Sequence, residues 1–528
     1  MDQLSGTGQR AGHRTGYRRV AKLSGAATLL AALVLLLHVA VNLATPWGFH
    51  RDELLYLAMG QHLRVWSMDF PPLIAMVGRG TRFLLGDSLA AIRLAPALAA
   101  SALMLVTGMI ARELGGGRIA QSLAALALLT SPLFLRTGSL FQPVVLDQLA
   151  WTAGLYALVR LGSARRDREA ELRWWLVLGA AGGFGLLAKF SIVFLGAGVL
   201  GAILLTPFRR SLLRPGPWVA LVITFAIGAP SVVGQIRLSW PVVAQMADLR
   251  ASQLERVTPA AFLAGQLLWG PVVVLGAAGA AWLLLSRAAR PWRIVGWAAV
   301  VAFLVVMALH GKSYYAGPLY PALIAAGAVA LEGAPARAAR PLAALTALLL
   351  VGYGALTLPL GLPILTPPAM IRYGRALHLT SANTTNTGEV LDLPQDYADM
   401  LGWPELAAAA AAVYRELPPA DRARAVVLAG NYGEAGALDL FGPRLGLPPA
   451  VSATGSYWFF GPGKLPGEVA IVVGADSTDL APFFGEIRRV RTVLNPLGVH
   501  EEMRVPIWVA RRPRATLQQV WPSLAGRN

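Results

Sequence analysis

Residues 47–93, WGFHRDELLYLAMGQHLRVWSMDFPPLIAMVGRGTRFLLGDSLAAIR, decide how this chain is read. They follow the first strongly apolar run and open on four ionisable residues, His50, Arg51, Asp52 and Glu53. An aromatic, amphipathic stretch, the pair Pro71-Pro72 and three arginines, Arg79, Arg82 and Arg93, come next. Two adjacent carboxylates at the mouth of a membrane helix are costly unless they are solvated, paired or used. The rest of the chain is then a scaffold that holds this loop over a membrane-embedded cavity.

Composition supports the membrane reading. Of 528 residues, 55% are hydrophobic and only 14% charged, where a soluble domain carries about 25% charged residues. Mean hydropathy is +0.55. The formal charge of +18 does not point to nucleic acid, because the arginines fall in short clusters between apolar runs, a pattern of membrane topology. With no cysteine, disulfides, thiolate metal sites and cysteine nucleophiles are excluded. The N-terminus carries Arg10, Arg14, Arg18, Arg19 and Lys22 ahead of an apolar run of about 20 residues, too long for a signal-peptide core and without a small-residue cleavage site. It is read as an uncleaved first span after a cytoplasmic tail, 1–22.

Apolar runs and the arginines between them predict about eleven transmembrane helices over 23–359, with the N-terminus inside. Residues 45–88 form the first outer loop, and Arg165, Arg166, Arg168 and Arg173 mark a cytoplasmic turn. The apolar run 174–208 decides the count. As one helix it would reach roughly 50 Å across a core of about 30 Å, and basic clusters flank both ends. Two short spans with an outer turn near Ala188-Lys189-Phe190 satisfy both facts. From 360 the chain turns polar. The strand-length runs AVVLAG (425–430), VAIVVG (469–474) and VPIWVA (505–510), with NYGEAGALDLFG (431–442) as a strand-to-helix turn, predict a soluble extracytoplasmic α/β domain, 360–528. The expected fold class is an α-helical polytopic membrane protein with that domain at its C-terminus.

Topology gathers most of the chemistry-bearing residues on one outer face. Asp52 and Glu53 are candidates for activating an acceptor, against the plainer role of acids in a first helical turn. Asp147 follows the outer loop 136–146 and is either a second acid of the same cleft or a helix cap. Only four lysines occur, and two of them, Lys189 and Lys312, stand at outer turns where snorkelling is the ordinary explanation. Joined by Arg79, Arg82 and Arg136, they would suit a lipid-linked phosphate. His50, His310, Tyr314 and Tyr315 are candidates for substrate contact, with interfacial packing the alternative for the aromatics. NYGEAG lacks both GxGxxG and a Walker lysine and is not a nucleotide fingerprint. No metal-binding motif appears, so no cofactor is implied; a divalent cation is left open.

Read in order, HRDELLYLAMGQHL (50–63), DFPPLIAMVGRGTRFLLGDSLAAIRLAPAL (69–98), Asp147, GLLAKFSIVFLG (185–196) and HGKSYYAGPLYPAL (310–323) resemble the glycosyltransferases related to protein O-mannosyltransferases and lipid A aminoarabinose transferases, which have the GT-C fold. The resemblance spans roughly residues 30–330 and leaves the C-terminal domain outside it. Where the family commonly has DEA after the first span, this chain has DEL. It implies transfer of a hexosyl or pentosyl unit from a polyprenyl-phosphate sugar donor to a cell-envelope acceptor, with inversion as the simplest outcome. It also implies a multi-pass protein of the bacterial inner membrane, acting on its outer face. Carried onto this chain, Asp52, Glu53 and Asp147 match acidic positions, and Lys189 and Lys312 match basic ones. The rival readings are a secondary transporter or lipid flippase, against which no two-fold repeat is seen, and a non-catalytic scaffold displaying the C-terminal domain.

Overall fold

The computed structural model describes residues 23–164, 167–380 and 382–524. The expected tail 1–22 and Arg165 and Arg166 of the cytoplasmic cluster lie outside the described residues. The chain is a multi-pass helical membrane protein. Among the described residues, seven helical segments (25–44, 89–113, 143–164, 215–237, 290–308, 313–332 and 336–361) are long and apolar enough to cross a bilayer. Three bent pairs, 118–129 with 132–139, 192–205 with 207–213, and 259–267 with 271–285, raise the number to ten if each is one span. Of the eleven runs read from sequence, the remaining one is the helix Arg168–Ala188, whose first turns carry Arg168, Glu169, Glu171 and Arg173. That helix ends at Ala188, Lys189 is extended, and the next begins at Ile192, so the long apolar run is broken at the expected place.

Small residues bring the membrane helices together. A Cβ at Gly179 would lie 2.5 Å from the Ala220 carbonyl oxygen, and one at Gly279 would lie 1.9 Å from that of Leu323. Backbone-to-backbone approach of this kind is how helices associate where lipid removes the hydrophobic drive. His38, fully buried in the first span, has its two ring nitrogens 2.7 and 3.0 Å from the carbonyl oxygens of Val34 and Leu135.

The C-terminal part carries a five-stranded sheet, β1 (Ala425–Ala429), β2 (Ala450–Ser452), β3 (Val469–Val473), β4 (Phe484–Leu494) and β5 (Arg504–Pro513). Its order is β2-β1-β3-β5-β4, parallel through β2-β1-β3 and antiparallel beyond. The three apolar runs are β1, β3 and β5. The other two strands escape the sequence: β2 is three residues long, and β4 (FGEIRRVRTVL) is a mostly exposed edge whose charges protect it from pairing.

The first long loop, 45–88, is not a separate lid over the bundle. Its helix Arg51–Gln61 and the helix Leu73–Leu85 contribute Leu54, Leu57, Met59 and Ile74 to the same buried core as Trp403, Leu406, Val427, Ile471 and Ile507 of the α/β unit. Distant stretches of chain therefore fold as one body around residues 50–60.

Candidate active site

The first turn of the Arg51–Gln61 helix places two neighbouring carboxylates in opposite environments. His50 is its N-cap: the imidazole Nδ1 accepts the Asp52 backbone N–H at 3.1 Å, and the Glu53 carboxylate returns to accept the His50 N–H at 2.7 Å. This capping box rotates Glu53 inward. There it is fully buried against Arg93, also fully buried, which donates from Nε and Nη2 at 2.8 and 2.7 Å. Phe141 N–H adds a fourth donor at 2.7 Å. Burial disfavours the Glu53 charge, but Arg93 and the backbone donors outweigh it and lower its pKa. Expected beside Asp52 as a second catalytic acid, Glu53 has every contact directed into the scaffold, and its place is that of a clamp between the loop and the second span.

Asp52, one residue earlier, is partly exposed. Its Oδ2 accepts from Gln142 Nε2 at 3.1 Å and its Oδ1 from the Tyr432 hydroxyl at 3.2 Å. One neutral donor per oxygen fixes the carboxylate plane and leaves each oxygen a further lone pair for a substrate proton.

Of the five expected cations, Lys312 and Lys189 lie within electrostatic reach of each other, and Lys312 within reach of Asp52. Lys312 donates to Gln253 Oε1 and Asn386 Oδ1 at 2.5 and 2.7 Å. Burial, then the like charge of Lys189, lower it to about 8, with Asp396 and Asp52 opposing. Those four groups thus share one field. Lys189 Nζ stands 5.1 Å over the Tyr315 ring, and Tyr314 and Tyr315 meet edge to face at 4.8 Å. Asp147 lies beneath this layer, buried, accepting from Ser191 Oγ at 2.7 Å and Trp151 Nε1 at 3.1 Å. Lys189 acts on it through space, and the bond to Ser191 ties it to the break in the chain at Lys189.

The remaining candidates divide. Arg136 donates from Nε to Asp396 at 2.9 Å and stacks 4.6 Å over Tyr397, while its Nη1 and Nη2 are buried without a protein partner. Arg82 pairs with Asp87 at 2.5 Å, Arg79 is exposed on the Leu73–Leu85 helix, and the imidazole of His310 is held by the Val257 carbonyl at 2.9 Å. None of these three has a recorded contact with Asp52, Lys189 or Lys312.

Several site residues come from parts of the chain the sequence did not connect. Asp396 and Asp399 approach His50 Nε2, each at 3.7 Å. Burial would lower the His50 pKa, but Asp396, Asp52 and Asp399 together raise it. Full protonation would cost the Nδ1 capping bond, so cap and acidic pair pull in opposite directions. Burial raises Asp399 to about 6 against His50 and Arg51. Arg136 and His50 lower Asp396 despite its burial. The only hint of this pair in the sequence is the density of acids at Asp392, Asp396 and Asp399. Among the described residues no group of three or more His, Asp or Glu side chains is arranged to hold a metal ion. A cavity of about 590 Å³ lies elsewhere, at the carboxyl ends of β1, β2 and β3, and none of Asp52, Lys189 and Lys312 lines it.

Comparison with known proteins bears on the fold. Residues 69–233 match the family model described as dolichyl-phosphate-mannose-protein mannosyltransferase. Among curated protein sequences no relative matches the chain. Among solved structures, ArnT from Cupriavidus metallidurans bound to undecaprenyl phosphate superposes with a TM-score of 0.60 at 17% identity, covering 91% of this chain and 97% of that one. Its apo form gives 0.58 at 18% identity with the same coverage. AglB from Archaeoglobus fulgidus, in complex with an inhibitory peptide and a dolichol-phosphate, gives 0.49 at 11% identity over 84% of this chain and 69% of that one. The fold is thus of the GT-C type. The superposition on ArnT takes in nine-tenths of the chain, which corrects the expectation that the C-terminal part stands outside the likeness.

Proposed function

We propose that this chain is a membrane glycosyltransferase that moves a sugar from a polyprenyl-phosphate donor to an acceptor in the cleft containing Asp52. The observation that carries the reading is one geometry: a partly exposed carboxylate, oriented by two neutral donors, sharing a field with Lys312 and Lys189. The family match and the likeness to ArnT bound to undecaprenyl phosphate support the donor class. Neither lends support to a transporter or flippase.

In the reaction, an acceptor oxygen or nitrogen attacks the anomeric carbon. A new bond forms there as the bond from that carbon to the phosphate oxygen breaks. The electron pair leaves with the lipid phosphate, and the acceptor proton passes to Asp52. Lys312 and Lys189 meet the charge that develops on the departing phosphate, where fixed cations lower the barrier most. Lys312 now donates to Gln253 and Asn386, two neutral acceptors that phosphate oxygens would replace. Arg136, with two free buried nitrogens, is a further phosphate donor group. Displacement from the face opposite the phosphate inverts the anomeric centre. The same reading places the chain in the bacterial inner membrane, with the N-terminus cytoplasmic and the cleft and α/β unit outside.

The test is transfer from a radiolabelled polyprenyl-phosphate sugar to cell-envelope acceptors by the full-length protein in nanodiscs. Asp52→Asn keeps the shape, accepts from one of the two donors and cannot take a proton, and loses about 10²- to 10⁴-fold in rate, as removal of a general base does. Full activity in this variant removes Asp52 from the mechanism. Uptake into proteoliposomes without any transfer product would favour the transporter instead.

A further inference from the structure

The sequence motif NYGEAG (431–436) was left without a role by any nucleotide reading, and the structure places it against the catalytic loop. Asn431 caps the helix Tyr432–Phe441 by accepting from Gly433 and Glu434 N–H at 2.8 and 3.0 Å, while Glu434 accepts from Gly430 and Asn431 N–H at 2.9 and 3.1 Å. The helix N-terminus is therefore filled by its own side chains and offers no anion site. Its two glycines have a different use. A Cβ at Gly433 would come within 2.6 Å of Arg51 Cγ, and one at Gly436 within 2.7 Å of Leu54 Cβ. Both helices can lie this close only because neither position carries a side chain.

That approach puts Tyr432 on the loop's first turn. Its hydroxyl donates to Asp52 Oδ1 at 3.2 Å, and its ring lies 4.6 Å under the Arg51 guanidinium. Arg51 is tied in turn to Glu501 by an ion pair and to the Asp399 carbonyl through its backbone N–H at 3.0 Å. Asn431 Nδ2 donates to Glu502 at 2.8 Å. Burial, then Asp52, raise the pKa of the phenol, which therefore keeps its proton to donate to Asp52.

We infer that Tyr432 is a positioning residue for the transfer, docked by the NYGEAG glycines, and that the active site is incomplete without the α/β unit. The inference rests on the functional reading above for the role of Asp52. The Gln142 bond by itself lets the carboxylate swing about its Cβ–Cγ bond; the second donor, on the other oxygen, stops it. A general base misplaced by about 1 Å costs on the order of a hundredfold.

Tyr432→Phe keeps the ring over Arg51 and removes only the hydroxyl. The expected result is a fall in kcat of roughly tenfold to a hundredfold, the range for a hydrogen bond to a charged group, with KM for donor and acceptor unchanged and only the small fall in melting temperature that loss of one hydrogen bond brings. Unchanged kcat overturns the inference, and so does a loss shared with KM, which would mark a merely structural contact. Gly436→Val, which pushes the helix off Leu54, should lower kcat in the same way even with Tyr432 intact. A thermal double-mutant cycle between Asp52→Ala and Tyr432→Phe needs no transfer assay. Non-additive shifts support the contact whether or not sugar is transferred, and additive shifts overturn it. A wild-type protein inert towards polyprenyl-phosphate sugars, with the cycle non-additive, would sink the functional reading and leave the contact standing.

Discussion

The two sides of one helical turn differ more than any two distant parts of this molecule. On the inner side Glu53 is sealed with Arg93, its oxygens taking two guanidinium and two backbone donors. On the outer side Asp52 holds one neutral donor per oxygen and faces the lysines of the cleft. Similar acids, adjacent in sequence, are divided by 100° of helix rotation. The lesson is that a carboxylate pair need not be a catalytic pair. The inner acid welds the loop to the membrane helices, and that rigidity is what permits the outer one to be left under-bonded and ready for substrate.

Substitutions can break this contrast. The largest stability effect should come from Glu53→Gln, which leaves the buried Arg93 charge uncompensated. Loss of about 3–5 kcal/mol is the usual outcome of breaking a buried pair, read as a lowered denaturation midpoint, while protein that remains folded keeps its turnover. Asp52→Asn should do the reverse, losing rate at unchanged melting temperature. If both variants lost rate and neither lost stability, the division of labour argued here would be wrong.

A smaller effect, confined to the donor side, is expected from Lys312→Met. Removing one charged phosphate contact should raise the donor KM by roughly tenfold or more with little change in acceptor KM. Equal changes in both would place Lys312 between the substrates and not on the phosphate. The same lysine sets a pH limit. With its pKa lowered to about 8 in the free protein, it is charged below that value and neutral above it, so kcat/KM for the donor should fall as pH rises through about 8. Lys312→Arg, which cannot lose its proton in this range, should hold kcat/KM to higher pH; an unmoved profile would assign the limb to another group. The smallest effect is expected from Asn386→Ala. It removes a neutral competitor for the ammonium and should lower the donor KM by about fivefold or less, the worth of one ordinary hydrogen bond.

Much of the architecture could be read directly. Run lengths and arginine clusters located the span helices and put the break in 174–208 at Lys189, because bilayer thickness bounds helix length whatever the packing. Apolar strand runs located β1, β3 and β5. Edge strand β4 stayed hidden because exposed edges are built from charged residues, which look like loop. Asp52, Lys189 and Lys312 could be placed on one face because topology alone sorts residues to the two sides of a membrane. Tyr432, Asp396 and Asp399 could not. They lie some 340 to 380 residues from Asp52 along the chain, and no periodicity links positions so far apart.

By itself, then, the sequence determined what the bilayer and the backbone impose: where helices cross, where they break, and which ionisable groups end at the same interface. Only the tertiary structure decided which of those groups are spent on holding the fold. The rotation of one turn buried Glu53 and left Asp52 open, and the close packing allowed by Gly433 and Gly436 brought Tyr432 onto it. Such choices depend on contacts of a few ångströms between remote segments, and those exist only once the chain has folded.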